Sequence, residues 1–142
     1  MIVHVLVLTR AGNVLLERSA GGSQQIAEVR GRVSMRISLS EAVEGTKGYT
    51  FLGEREAVHE AVGDAVAVVA GEPGDTRAAE LAEALDMVIT QIKAATGRRS
   101  PTEAQVRAST GQAAVLLDEA MPLNEPEVPG GDATRRLAKL KS

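Results

Sequence analysis

Two rhythms of apolar residues run along this chain, and the switches between them mark out its elements. Residues 2 to 8, Ile-Val-His-Val-Leu-Val-Leu, are dense in β-branched side chains. Ala11-Gly12-Asn13 supplies turn residues and Val14 to Arg18 returns, so this opening predicts a β-hairpin. After Gly21-Gly22 the apolar spacing lengthens to three and four. Ser23 stands where a cap belongs, and Ile26, Val29, Val33 and Ile37 form one helical stripe, with Arg30, Arg32 and Arg36 turned to water. Gly45-Thr46-Lys47-Gly48 is expected to break that helix. Three short segments follow, Tyr49 to Leu52, Ala57 to Val62 and Ala65 to Ala70, separated by Gly53 and Gly63-Asp64; they read as an antiparallel meander. The last of them is apolar throughout and is expected at the centre of the sheet, covered on both faces.

Helical spacing then resumes. A long helix is expected from near Thr76, with Leu81, Leu85, Val88 and Ile92 on its buried stripe and Gly97 closing it in the left-handed conformation. Ser100 as N-cap, Pro101 at the first helical position and Glu103 at the third predict the start of another helix, with Gly111 interrupting it and residues 112 to 121 forming a further helical stretch. The order is β-β-α-β-β-β-α-α: an α+β fold with a five-stranded antiparallel sheet sandwiched by helices. Residues 1 to 121 form one domain. Pro122 to Gly131 holds three of the five prolines and reads as a linker, followed by a short basic helix capped by Asp132.

Composition narrows the function. A chain of 142 residues, 44% apolar, suits a single domain that buries roughly 68% of its unfolded surface. The 16 basic and 19 acidic residues are interspersed and leave a formal charge of -3, which gives no field to draw in nucleic acid. Tyr49 and Phe51 are the only aromatic residues, too few for a base-stacking platform. There is no cysteine, hence no disulfide framework or thiolate metal site, and no apolar run approaches the roughly 20 residues that cross a bilayer. Met1 to Leu8 lacks a basic leader and a cleavage site, so a cytoplasmic protein is expected.

No residue pattern points to catalysis, a cofactor or a metal. Asp118 and Glu119 are adjacent, and neighbouring helical residues point about 100° apart, so an inter-element ion pair is a better reading than paired acid-base work. His4 and His59 lie inside predicted strands without ligand partners at short spacing. There is no nucleophile elbow, phosphate loop or dinucleotide fingerprint; Gly45-Thr46-Lys47-Gly48 has the wrong spacing to cradle phosphate. No small-molecule substrate is implied.

The order of elements resembles the longin fold. The opening "MIVHVLVLTRAGNVLLER" is similar to the start of the small and medium chains of clathrin adaptors, with an apolar strand, an Arg-x-Gly turn and a second strand, and "VLLDEAM" resembles the Leu-Asp-Glu signature of their last core helix. Within that family the pattern is most like the small subunits of TSET-type coats, the TPLATE complex of plants: "GNVLLER", "LAEALDMVITQIK", "PTE", "LLDE" and the basic end "RRLAKLKS" fall in register over nearly the whole chain. The resemblance implies a structural subunit, cytoplasmic and peripheral at the plasma membrane in clathrin-mediated endocytosis. Its partners would be a large solenoid subunit that grips it and, through that chain, a medium subunit.

Two positions depart from the adaptor pattern. Where the endocytic small chains present apolar residues to dileucine signals, this chain has Arg98-Arg99-Ser100, whose desolvation against leucine is costly. Where they carry a Tyr-Arg-Arg-Tyr-like strand, "AVHEAV" stands. If the two main stripes face the sheet, Met35 and Leu39 on the first helix and Met87 and Ile89 on the second remain for a partner, with Leu137 and Leu140 in the tail. Arg135, Arg136, Lys139 and Lys141 are candidates for anionic-lipid contact, at about 1 kcal/mol each, against the plainer reading of a solvated or partner-docked helix. The alternative function is a longin module of a tethering or receptor complex that serves as a platform for a small GTPase.

Overall fold

A computed structural model gives the fold and describes residues 2–20, 23–74 and 77–121. Strands β1 (Ile2–Thr9) and β2 (Val14–Ser19) form the opening hairpin. Its turn is tied by Thr9 and Asn13, whose main chains bond at 2.8 Å. Helix α1 (Ser23–Arg36) follows, then a 3-10 turn over Leu39–Glu41. The meander is β3 (Gly48–Leu52), β4 (Arg55–Val62) and β5 (Ala65–Gly71), and the chain continues through α2 (Ala78–Thr96), α3 (Glu103–Ala108) and α4 (Thr110–Ala120). The five strands make one antiparallel sheet in the order β2-β1-β5-β4-β3. The fold is thus α+β, with four α-helices among the described residues.

Alternation along the strands divides the apolar residues into two cores. Val5, Val7, Val58, Val62, Ala65, Ala67 and Val69 point to one face, where α2 lays down Leu81, Leu85, Val88 and Ile92, and Val106 and Leu117 of α3 and α4 join them. Leu6, Leu8, Ala57, Val66, Val68 and Ala70 point to the other face and meet Val29, Val33 and Ile37, together with Leu39 and Leu52. Period-two burial on a central strand therefore demands helices on both sides. Both expected stripes face the sheet, although Ile26 is only half-buried.

Several boundaries differ from the sequence reading. α1 ends at Arg36, well before Gly45, because Ser38 leaves helical geometry (φ -83°, ψ 87°) and Leu39 turns inward within the 3-10 turn. The start of α2 is at Ala78, and Gly97 ends it at φ 68° as the spacing predicts. At α3 the cap is Thr102, two residues beyond Ser100. Thr102 Oγ1 accepts from the Gln105 N–H at 3.2 Å and Gln105 Oε1 accepts from the Thr102 N–H at 2.9 Å, a complete capping box. Ser100 and Pro101 have other partners: the Ser100 hydroxyl donates to Glu44, and the Pro101 carbonyl accepts from the Asp64 N–H at 2.9 Å. The break between the last two helices is at Ser109, not Gly111, which lies inside α4.

The Pro101 contact fixes the β4–β5 turn against the α2–α3 linker, and it requires glycine at position 63. Gly63 has φ +60°, and a Cβ built there overlaps the Pro101 carbonyl oxygen, which is backbone and has no rotamer to yield. Gly63→Ala is expected to lower unfolding stability by about 2 kcal/mol or more, from left-handed strain plus that overlap. Urea unfolding measures it; a loss under about 0.5 kcal/mol would contradict the contact.

Candidate interaction surface

Among the described residues, three of the five exposed large apolar side chains gather at one edge of the sheet; the other two are Met35 on α1 and Val115 on α4. β3 pairs only with β4 among the described strands, so its outer main-chain groups face away from the sheet. Tyr49 lies in register with Val58 and Phe51 with Glu56, which brings both aromatic residues out on the α2 side, beyond the cover α2 provides. They are 56% and 59% exposed. With Thr50, Glu56, Ala57 and Ala78 they line a shallow depression of about 210 Å³ between the strand and the start of α2. Val43, also exposed, belongs to the segment that runs on beside β4, where its carbonyl accepts from the Ala61 N–H. The opposite edge, β2, is different. α4 attends it, with Arg18 bridging to Asp118 and to the Ala114 carbonyl.

The residues singled out for a partner divide on inspection. Met35 is 82% exposed on the outer side of α1. Leu39 and Ile89 are corrections: each is only 6% exposed and packs in this chain's own core. Leu39 is drawn in by the 3-10 turn. Ile89 is buried because α2 lies between the sheet and α4, so its covered arc is wider than a single stripe. Met87 is half-buried. Leu137, Leu140, Arg135, Arg136, Lys139 and Lys141 lie outside the described residues, as does the whole of 122–142.

Behind this edge, two polar ties hold the loops and helices in place. Lys47, in the stretch read as a plain turn, donates to Glu60 Oε1 at 3.2 Å and pairs with Asp86 of α2 at 2.6 Å. The hydrogen bond to Asp86 comes first among the causes that raise the Lys47 pKa. The second tie is at the end of the sheet. The Arg10 guanidinium donates to the carbonyls of Ala42 (2.8 Å), Ser40 (3.3 Å), Leu39 (3.4 Å) and Gly63 (3.2 Å). Glu44 Oε1 accepts from the Gly63 N–H and from the Ser100 hydroxyl, each at 2.6 Å. The hydroxyl bond is the leading reason the Glu44 carboxyl lies below its ordinary range. Neither tie was read from the sequence. The Arg-x-Gly turn and the lone lysine between two glycines were the available signals, and their partners are remote in sequence.

Of the α1 arginines expected to face water, Arg36 is exposed, whereas Arg30 and Arg32 are paired. Arg30 grips Glu17 of β2 through Nε at 2.7 Å and through a second nitrogen, and Arg32 pairs with Glu28 one turn earlier at 3.1 Å. Asp118 makes the inter-element ion pair expected of it, and Glu119 is exposed. The two histidines are strand residues that face the α1 layer, His4 in register with Ala70 and His59 with Val68. Among the described residues no three His, Asp or Glu side chains converge in metal-binding geometry. No described helix is long and apolar enough to cross a membrane. In comparisons with known proteins, no family model matches the chain and no curated protein matches it.

His4 carries a measurable consequence. It is buried, its Nδ1 shares a 2.8 Å hydrogen bond with the Ser19 hydroxyl, and its Nε2 has no partner among the described residues. Burial, with the Arg55 charge second, lowers its pKa to about 4. The unfolded chain takes up that proton near pH 6.5 and the folded chain does not, so stability is full above pH 6.5 and falls as pH drops toward about 4. The slope from this group approaches about 1.4 kcal/mol per pH unit within that window. Denaturant unfolding of the parent and of His4→Gln across pH 7 to 4 is expected to show the shallower dependence in the variant. Equal slopes would mean that His4 is not held neutral.

Proposed function

We propose that this chain is a non-enzymatic small subunit of a clathrin-adaptor-related coat complex of the TSET/TPLATE type. In this reading the domain is longin-like and works by shape: a large solenoid subunit holds it, a medium subunit joins through that chain, and the assembly sits on the cytoplasmic side of the plasma membrane in endocytic trafficking. The observation that carries the reading is the arrangement of layers. A hairpin, one helix on one face, a three-strand meander and the remaining helices on the other face are what the resemblance implies. Two of the motifs quoted for the resemblance lie within the described residues as a turn and a late helix, "TRAGN" at the β1–β2 turn and "LLDE" on α4, which supports the reading.

The exposed edge adds physical support. Tyr49, Phe51 and Val43 leave apolar surface beside a strand edge that has no partner among the described residues, a place where another chain gains contact without displacing this domain's core. Arg98, Arg99 and Ser100 are all exposed, so the linker presents charge where a leucine side chain would need an apolar wall. Dileucine cargo is accordingly left out of the proposed role.

Affinity purification of the native protein, with stoichiometry measured and nucleotide varied, tests this. The expected result is a stable one-to-one complex with a large helical-repeat chain, independent of nucleotide. Recovery of the chain alone, or with a small GTPase only in one nucleotide state, would contradict it and, in the second case, favour the platform reading.

A further inference from the structure

The linker between α2 and α3 reads Gly97-Arg98-Arg99-Ser100-Pro101-Thr102, lies outside both helices over residues 98 to 101, and is exposed except at Pro101. Its serine hydroxyl is bonded to a carboxylate that is itself exposed, Glu44. We propose that Ser100 is a phosphorylation site for an arginine-directed protein kinase, and that the phosphate opens the Glu44 clamp joining this linker to the β4–β5 turn. The inference stands apart from the coat reading.

Three features of the site support it. An acceptor serine must be reached in an irregular, solvent-facing segment, and this one is. The two residues before it are exposed guanidinium groups, the charge pattern that an acidic kinase groove selects. Pro101, by contrast, is buried and engaged with the Asp64 N–H, so the arginines rather than the proline are open to be read.

In the transfer, Ser100 Oγ forms a bond to the γ-phosphorus of a nucleoside triphosphate supplied with the kinase. The bond from that phosphorus to the β–γ bridging oxygen breaks, the nucleoside diphosphate leaves, and the hydroxyl proton passes to the kinase's base. The product has lost the donor that Glu44 used. In its place stands a group of charge about -1.5 to -2, beside a carboxylate.

Like charges at that separation repel, and Glu44 also holds the Gly63 N–H, so displacing Glu44 leaves that N–H without its acceptor, while Arg10 still holds the Gly63 carbonyl and Pro101 the Asp64 N–H. The positive groups facing the site are Arg10 and Lys93, both close enough to Glu44 to act on its charge, with Arg98 and Arg99 on the linker itself. If these cations capture the phosphate, the linker tightens instead of opening. The two results are opposite in sign at Gly63.

The full chain is incubated with an arginine-directed serine kinase and magnesium ATP, the product is mapped by mass spectrometry, and Gly63 amide exchange is followed by NMR. The expected result is one phosphate at Ser100, none there in Ser100→Ala, and incorporation slower by about tenfold or more in the double variant Arg98→Ala, Arg99→Ala. Gly63 exchange is expected to be about tenfold or more faster in the phosphorylated chain, whereas Ser100→Ala, which keeps the Glu44 to Gly63 bond, changes it only a few-fold. Absence of phosphate at Ser100 in the folded chain, a rate indifferent to the arginines, or Gly63 exchange unchanged or slowed would each overturn the proposal.

Discussion

Everything in this fold follows from the requirement to cover β5 on both faces. Ala65 to Gly71 is buried along its whole length, with no polar side chain to offer water on either side. Such a strand is stable only between two apolar layers, so β1 and β4 must flank it and helices must close both faces. That single demand explains why α1 and α2 lie on opposite sides. It also explains why the sheet order places β5 third of five, and why the aliphatic cores need almost no aromatic contribution. The two aromatic residues are consequently free for the edge.

The same architecture decides where a partner is met. A five-stranded sheet has two edges, and the helices treat them unequally. α4 sits by β2 and is tied to it through Arg18, while β3 is short, flanked by Lys47 at one end, and carries Tyr49 and Phe51 outward. Loops converge at one end of the sheet, where one arginine and one glutamate do most of the joining. Hydrogen bonds to charged groups are worth about 1.5 to 3 kcal/mol when buried, and less at exposed Glu44, where water screens them. They hold irregular segments that have little apolar surface of their own.

Much of the scaffold was legible in the residues because local chemistry and global position agree there. The hairpin, the all-apolar fifth strand, the Leu81 to Ile92 stripe and the Gly97 cap each follow from a short-range rule that the tertiary structure leaves intact. The misses share a different cause. Ser100 had good cap chemistry but was claimed by Glu44, 56 residues away, and the cap moved to Thr102. Leu39 reads as an off-stripe, partner-facing residue of a first helix that continues past it, yet the chain leaves the helix at residue 36 and carries Leu39 inward. Ile89 lies off the single stripe that the spacing predicts, but α2 has neighbours on two sides and buries it. Exposure of Tyr49 and Phe51 depended on strand order, which no local pattern encodes.

The account rests on β5 as the element last to lose its cover. Native-state hydrogen exchange at every amide tests this most directly. The slowest exchange is predicted at residues 66 to 69 and at their β1 partners 5 to 8, opening only with global unfolding, while 49 to 51 on the β3 edge exchange at lower cost. Central amides that exchange as readily as those of β3 would contradict it.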